Sequence, residues 1–119
     1  MALQVDVGQN CAGFFICRAN DRTITLFRTI RKRLGRFSND QMALNHYLHA
    51  QKVPFKKFDG RVYTVGQTIH KRWEGEPVKV PDNIIVHHAN YTVGVNNKIK
   101  LMNMVRNQVA PKKRQRVKA

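Results

Sequence analysis

Gly13-Phe14-Phe15-Ile16-Cys17-Arg18, followed at once by Ala19-Asn20-Asp21-Arg22-Thr23, is the stretch on which the fold turns. An unbroken apolar run of this length, bounded by glycine and arginine, predicts a buried strand over Gly13–Arg18. Asn20 or Asp21 can cap a helix there, because their short polar side chains accept from the first free backbone N–H groups. That helix should run to about Leu34, with Gly35 as its stop. Ile24, Phe27, Ile30 and Leu34 form one apolar stripe along it, and Arg28, Arg31, Lys32 and Arg33 interleave as a solvated basic face.

Downstream the alternation continues. Ser38 with Gln41 three residues later has the form of a capping box, which sets Asp40 in the first turn of a second helix where the helix dipole favours a carboxylate. Leu44 and Leu48, one turn apart, bury that helix. Phe55–Phe58 and Val62–Val65 flank Asp59-Gly60, a frequent hairpin signal. Residues 74–81 read as loop and Ile84–His88 as the last strand. The last helix runs from Val93 to about Val105, with Val95, Ile99, Met102 and Val105 on one stripe. No internal repeat occurs.

Composition sets outer limits. A chain of 119 residues that is 42% apolar can bury the modest core of a small domain. No apolar run approaches the roughly 18 residues of a membrane helix, and the first residues lack the basic start and apolar stretch of a secretory signal. Cys11 and Cys17 are the only cysteines. On one continuous strand they stand about 20 Å apart, too far to bond. Free thiols favour a reducing, cytoplasmic setting over an oxidising one.

The formal charge is +15, and half the basic residues are local: six fall between Arg22 and Arg36 and six between Arg106 and Ala119. The last group, with no acid among it and no helical periodicity, predicts a flexible basic tail over residues 107–119. Such an arm can contact nucleic acid or another anionic surface. Stacking-aromatic motifs and zinc-ligand spacings, the marks of a dedicated nucleic-acid module, do not occur.

Four short motifs stand in fixed order: Gly13-Phe14-Phe15-Ile16-Cys17-Arg18, Asn20-Asp21-Arg22-Thr23, Asp40-Gln41-Met42-Ala43-Leu44-Asn45 and His88-Ala89-Asn90-Tyr91. Each is common; the ordered set resembles the nucleotide-diphospho-sugar transferases, which include plant cell-wall arabinosyl- and xylosyltransferases and share the GT-A fold. The resemblance covers roughly Gln4–Arg106. It implies an α/β fold with a mixed sheet and flanking helices, the C-terminal part of a GT-A (Rossmann-like) nucleotide-diphospho-sugar transferase, with residues 1–106 as a partial domain ahead of the tail.

The resemblance also implies roles. Asp40 and Gln41 would be catalytic, Asp40 on donor-sugar hydroxyls and the Gln41 side chain near the anomeric carbon. Gly13, Asn45, Asn90, Gly94 and Lys98 would contact the donor, Lys98 its diphosphate. His88 would complete the shell of a divalent cation, Mn²⁺ being the expected one. The residues by themselves also admit plainer readings. Asp40 and Gln41 suit a helix N-terminus, Lys98 suits a solvated helix, and a histidine on an apolar strand is often a core residue. His87 and His88 must point to opposite faces, because strand side chains alternate. His46 and His49, three apart, lack a further ligand at metal spacing.

Two departures from the family pattern stand out. Its strand usually carries asparagine two residues before the Gly of Gly-Phe-Phe, where this chain has Cys11, and alternation turns Asn10 to the other face unless a bulge intervenes. An Asp-x-Asp motif, which in the family holds the cation, does not occur: Asp6-Val7-Gly8 has glycine in the third position. The expectation is a transferase domain taking a nucleotide-sugar donor and a glycan or protein acceptor, inactive by itself and able to self-associate. The rival is a small basic protein that binds nucleic acid or phosphate without catalysis.

Overall fold

The computed structural model describes residues 1–6 and 8–118, with side chains described as far as Ala110. It forms two compact units, Met1–Asp59 and Gly60–Ala119.

In the first unit, β1 (Ala2–Asp6) is the central strand, flanked by antiparallel β2 (Gln9–Ile16) and by parallel β3 (Lys56–Lys57). This is an α/β arrangement with a mixed sheet and flanking helices, as the sequence predicts. The strand itself begins four residues earlier than expected and lies at the sheet edge. Its pairing slips midway: Leu3 faces Phe15 whereas Gln4 faces Cys11, so Ala12, Gly13 and Phe14 form an irregular bulge. An odd slip changes the parity of the strand, so the alternation argument that turned Asn10 away does not carry across it.

Helix α1 (Asp21–Arg33) starts at Asn20, whose side chain accepts from the Thr23 N–H while the Thr23 hydroxyl oxygen accepts from the Asn20 N–H. The helix buries Thr23 and Leu26, with Phe27 and Ile30 packed against the core, whereas Ile24 and Leu34 of the predicted stripe are exposed. The two stripes share Phe27 and Ile30. The choice between them is made by Thr23, whose hydroxyl donates to the Arg18 carbonyl at 2.7 Å and draws that side of the helix onto the end of β2. A single 3₁₀ turn, Leu34–Arg36, follows in place of a clean glycine stop.

Helix α2 (Asp40–Ala50) is capped by Asn39, whose side chain accepts from the Met42 N–H. The predicted Ser38–Gln41 capping box does not form, because the Gln41 amide is drawn sideways to β2. The core comprises Leu3, Leu26, Leu44, Leu48 and Val53, closed by Met1, Ala12, Phe15 and Tyr47. Each buried aliphatic side chain of this kind contributes roughly 1.5–3 kcal/mol.

In the second unit, β4 (Val62–Tyr63) pairs in parallel with β5 (Val86–His87). The expected hairpin about Asp59-Gly60 is therefore absent: β3 and β4 belong to separate sheets, each with a parallel partner. A single helical turn, α3 (Gly66–Ile69), and a long loop cross from β4 to β5. Tyr63, Val65, Trp73, Val78, Val80, Leu101 and Val105 form the core.

Helix α4 (Val95–Lys118) extends past the predicted end at Val105. Lys, Arg and Gln are good helix formers without an apolar stripe. The side chains of the predicted basic tail from residue 111 lie outside the described residues. The buried stripe is also not the expected one. Leu101 and Val105 are buried with Met104 and Val109 alongside, while Val95, Ile99 and Met102 are exposed. Gln108 fixes this rotation: its amide accepts from the Val80 N–H at 2.8 Å and donates to the Val78 carbonyl at 2.6 Å, strapping the loop to the helix.

Candidate functional site

The candidate residues fall into a group on β2 and α2 and a group on the segment after β5. An edge strand leaves backbone N–H and C=O groups that need partners. On β2 these are supplied by two side-chain amides one helical turn apart on α2. Asn45 Oδ1 accepts from the Asn10 N–H at 2.9 Å and Asn45 Nδ2 donates to the Asn10 carbonyl at 2.8 Å, so one amide pairs with Asn10 as a neighbouring strand would. The same Nδ2 donates to the Gln41 carbonyl at 2.9 Å, and Asn45 Oδ1 also accepts from Asn10 Nδ2 at 3.1 Å.

Gln41 continues the pattern. Its Oε1 accepts from the Ala12 N–H at 3.1 Å and its Nε2 donates to Asp6 Oδ2 at 2.9 Å. Both ends of the amide are thus engaged, and the group ties the end of β1 to the bulge in β2 through α2. Asn10 is buried and held by Asn45. Asp40 is exposed in the first turn of α2, and Gly13 is exposed on the bulge. Asp6 and Asn10 were not among the predicted site residues. Gln41 and Asn45 at i, i+4, a polar stripe facing an edge strand, are the signal that could have found them.

In the second unit the two adjacent histidines are both partly buried. The His87 ring lies 6.0 Å from the Tyr63 ring, and its buried Nε2 has no hydrogen-bond partner. Burial, and to a lesser extent the neighbouring His88, pushes the His87 imidazole down to about 4, so it is neutral. Tyr63 donates to or accepts from the Thr68 hydroxyl at 2.8 Å, and its own burial pushes the phenol up. His88 is half-buried, and its N–H extends the ladder to the Tyr63 carbonyl at 3.0 Å.

From His88 the backbone turns tightly. The Asn90 N–H donates to the His88 carbonyl at 2.8 Å, and Tyr91 adopts a left-handed φ of 59°. This conformation, unfavourable for tyrosine, is held from three sides. The Tyr91 carbonyl accepts from the Trp73 N–H at 2.6 Å, the Thr92 hydroxyl donates to the Trp73 carbonyl at 3.0 Å, and the Tyr91 ring lies flush against Gly66 where any Cβ would collide with it. Gly94, with φ of 87°, opens α4, its carbonyl accepting from the Lys98 N–H at 3.1 Å. The Lys98 side chain is exposed in the first turn. His88, Asn90, Gly94 and Lys98 are therefore gathered on one short segment, at the end of a strand and the start of a helix.

Among the described residues no three His, Cys, Asp or Glu side chains cluster to hold a metal. His88 offers a single imidazole; the residues present do not compose a complete cation shell. Cys11 and Cys17 are both free thiols. Among the described residues no helix is long and apolar enough to cross a membrane.

The chain matches the family model of the nucleotide-diphospho-sugar transferases over residues 3–102, a span that takes in β1 from Leu3, β2, α2 and the whole His88–Lys98 segment. No curated protein and no solved structure matches it. The chain belongs to the nucleotide-diphospho-sugar transferase family.

Proposed function

We propose that this member of the nucleotide-diphospho-sugar transferase family transfers a sugar from a nucleotide diphosphate to a glycan or protein acceptor, and that the segment from His88 to Lys98 serves the diphosphate end of the donor. The observation that carries this reading is the pinned turn at Tyr91. It holds a half-buried imidazole, an amide, a φ-positive glycine and an exposed ammonium in sequence at a helix N-terminus, where backbone N–H groups and the helix dipole favour anionic oxygen.

Asp40, exposed at the start of α2, would serve the donor-sugar hydroxyls. Gln41 and Asn45 would act from behind, fixing α2 and therefore Asp40 against the bulge at Gly13. A divalent cation such as Mn²⁺ would screen the diphosphate charge; among the described residues His88 would reach it, and turnover by the chain alone is not expected. The residues here bind and orient the donor.

Nuclear magnetic resonance titration of the labelled chain with uridine and guanosine diphosphate sugars, with and without Mn²⁺, tests the reading. Shifts confined to residues 88–98, enhanced by the cation and lost in Lys98→Ala, are expected. Shifts that instead follow DNA or RNA oligonucleotides onto the basic face of α1, and vanish steeply with salt, would replace it with the nucleic-acid reading that the charge of +15 also permits.

A further inference from the structure

Helix α4 carries two apolar stripes and buries one. Leu101 and Val105 pack in the core. Val95, Ile99 and Met102, spaced four and then three residues apart on a different side, are 73%, 50% and 55% exposed, and Val93 just ahead of the helix is 59% exposed. Arg106 continues the same row one turn on and is exposed, as are Lys98 and Lys100. From Val95 to Lys118 the sequence contains neither Asp nor Glu. We propose that this outer face of α4 docks the protein onto an anionic phospholipid surface, the helix lying in the plane of the interface.

Both halves of that surface are needed to explain the face. An apolar row beside lysine and arginine is what an interfacial helix presents: the aliphatic groups enter the headgroup boundary while the cations meet lipid phosphate and carboxylate. Arg106, in line with the row, can lay its methylenes along the apolar layer and keep its guanidinium at the headgroups. Nucleic acid would use the charge but leave Val95, Ile99 and Met102 in water, and the row has no aromatic ring to stack a base. A partner helix would need a seam of several heptads, and this row is shorter than two. A second copy would bring the same uncompensated positive charge to a chain already at +15. The attachment is peripheral and reversible; it shares Val95 and Lys98 with the proposed donor segment, whereas Ile99, Met102 and Arg106 lie beyond it.

Co-sedimentation of the full chain with extruded vesicles tests this. Vesicles of phosphatidylcholine with three parts in ten phosphatidylserine should retain the protein, and pure phosphatidylcholine should not. The double variant Ile99→Ser/Met102→Ser, whose side chains are exposed and whose fold is checked by circular dichroism, should weaken binding about ten-fold or more through lost apolar burial. Lys100→Ser/Arg106→Ser should weaken it through lost charge, and Val93→Ser/Val95→Ser repeats the apolar arm should the first pair unfold. Apolar variants that bind as tightly as the wild type would overturn the proposal, reducing it to attraction of a polycation. Failure to bind anionic vesicles, with retention on immobilised polyglutamate, would overturn it in favour of an acidic polypeptide.

Discussion

Asn45 pairs its side-chain amide with both backbone groups of Asn10, accepting from the N–H at 2.9 Å and donating to the carbonyl at 2.8 Å. A helix side chain thereby takes the place of the strand that the free edge of β2 lacks, and also blocks that edge against pairing with another copy. Removing the amide with Asn45→Ala should cost about 2 kcal/mol, since it leaves two part-buried backbone groups unpaired. Urea unfolding measures this. Asn45→Asp should cost as much, because a carboxylate keeps the acceptor but turns its other oxygen on two carbonyls. An Asn45→Ala protein of unchanged stability would show that α2 is not held this way.

Gln41→Glu offers a pH-dependent version of the same test. The new carboxylate would face Asp6 Oδ2, which the Gln41 Nε2 now contacts at 2.9 Å. Like charges at that range cannot both be ionised without cost, so one carboxyl should titrate above its ordinary range. The variant should be destabilised at pH 7 and should regain ground on the wild type as pH falls toward about 4. Parallel melting curves across pH would show that Gln41 and Asp6 do not meet.

Gly66→Ala should disturb the candidate donor segment at a distance in sequence. The added methyl has no room beside the Tyr91 ring, and pushing that ring aside moves the turn that orients His88 and Asn90. A loss of about 1–3 kcal/mol is expected, typical of overpacking. The double variant Gly66→Ala/Tyr91→Leu should recover part of it, and a thermodynamic cycle reads the coupling. Strict additivity would count against the contact.

His87 supplies a second pH dependence. Unfolded, its imidazole titrates near 6.5, and in the fold burial holds it at about 4. Between those values the unfolded chain binds a proton that the folded chain does not. Stability therefore falls as pH drops from about 6.5 to about 4 and levels off below. His87→Phe removes the titrating group and a buried nitrogen without a partner. Its melting temperature should gain on the wild type progressively from pH 7 down to pH 4; a constant offset would mean His87 is accessible to solvent protons.

Much of this was legible in the sequence, because it depends on local signals. The α/β class follows from an apolar run leading into a capped helix, and the Asn20 cap forms through Thr23 as the residue types allow. The ordered motifs were enough to place the chain in its family. The two misjudged helix stripes share one cause. Periodicity names the apolar stripes of a helix but does not say which one packs, and α1 and α4 each carry two. In α1 the hydroxyl of Thr23 decided the rotation, and in α4 the amide of Gln108 decided it, through bonds to Arg18 and to Val78 and Val80.

The sequence by itself determined where the helices α1, α2 and α4 lie and which residues are available for chemistry, since propensity, capping and alternation act over a few neighbouring positions, whereas the central strand β1 was not among its predicted elements. Only the tertiary structure decided how those residues are used. The Gln41 and Asn45 amides could have served a ligand or a backbone edge with equal chemical fitness. They close the edge of β2 because a bulge at Gly13 leaves Asn10 and Ala12 facing α2 with groups that require partners, and that meeting of residues 29 and 35 positions apart is written in no local pattern.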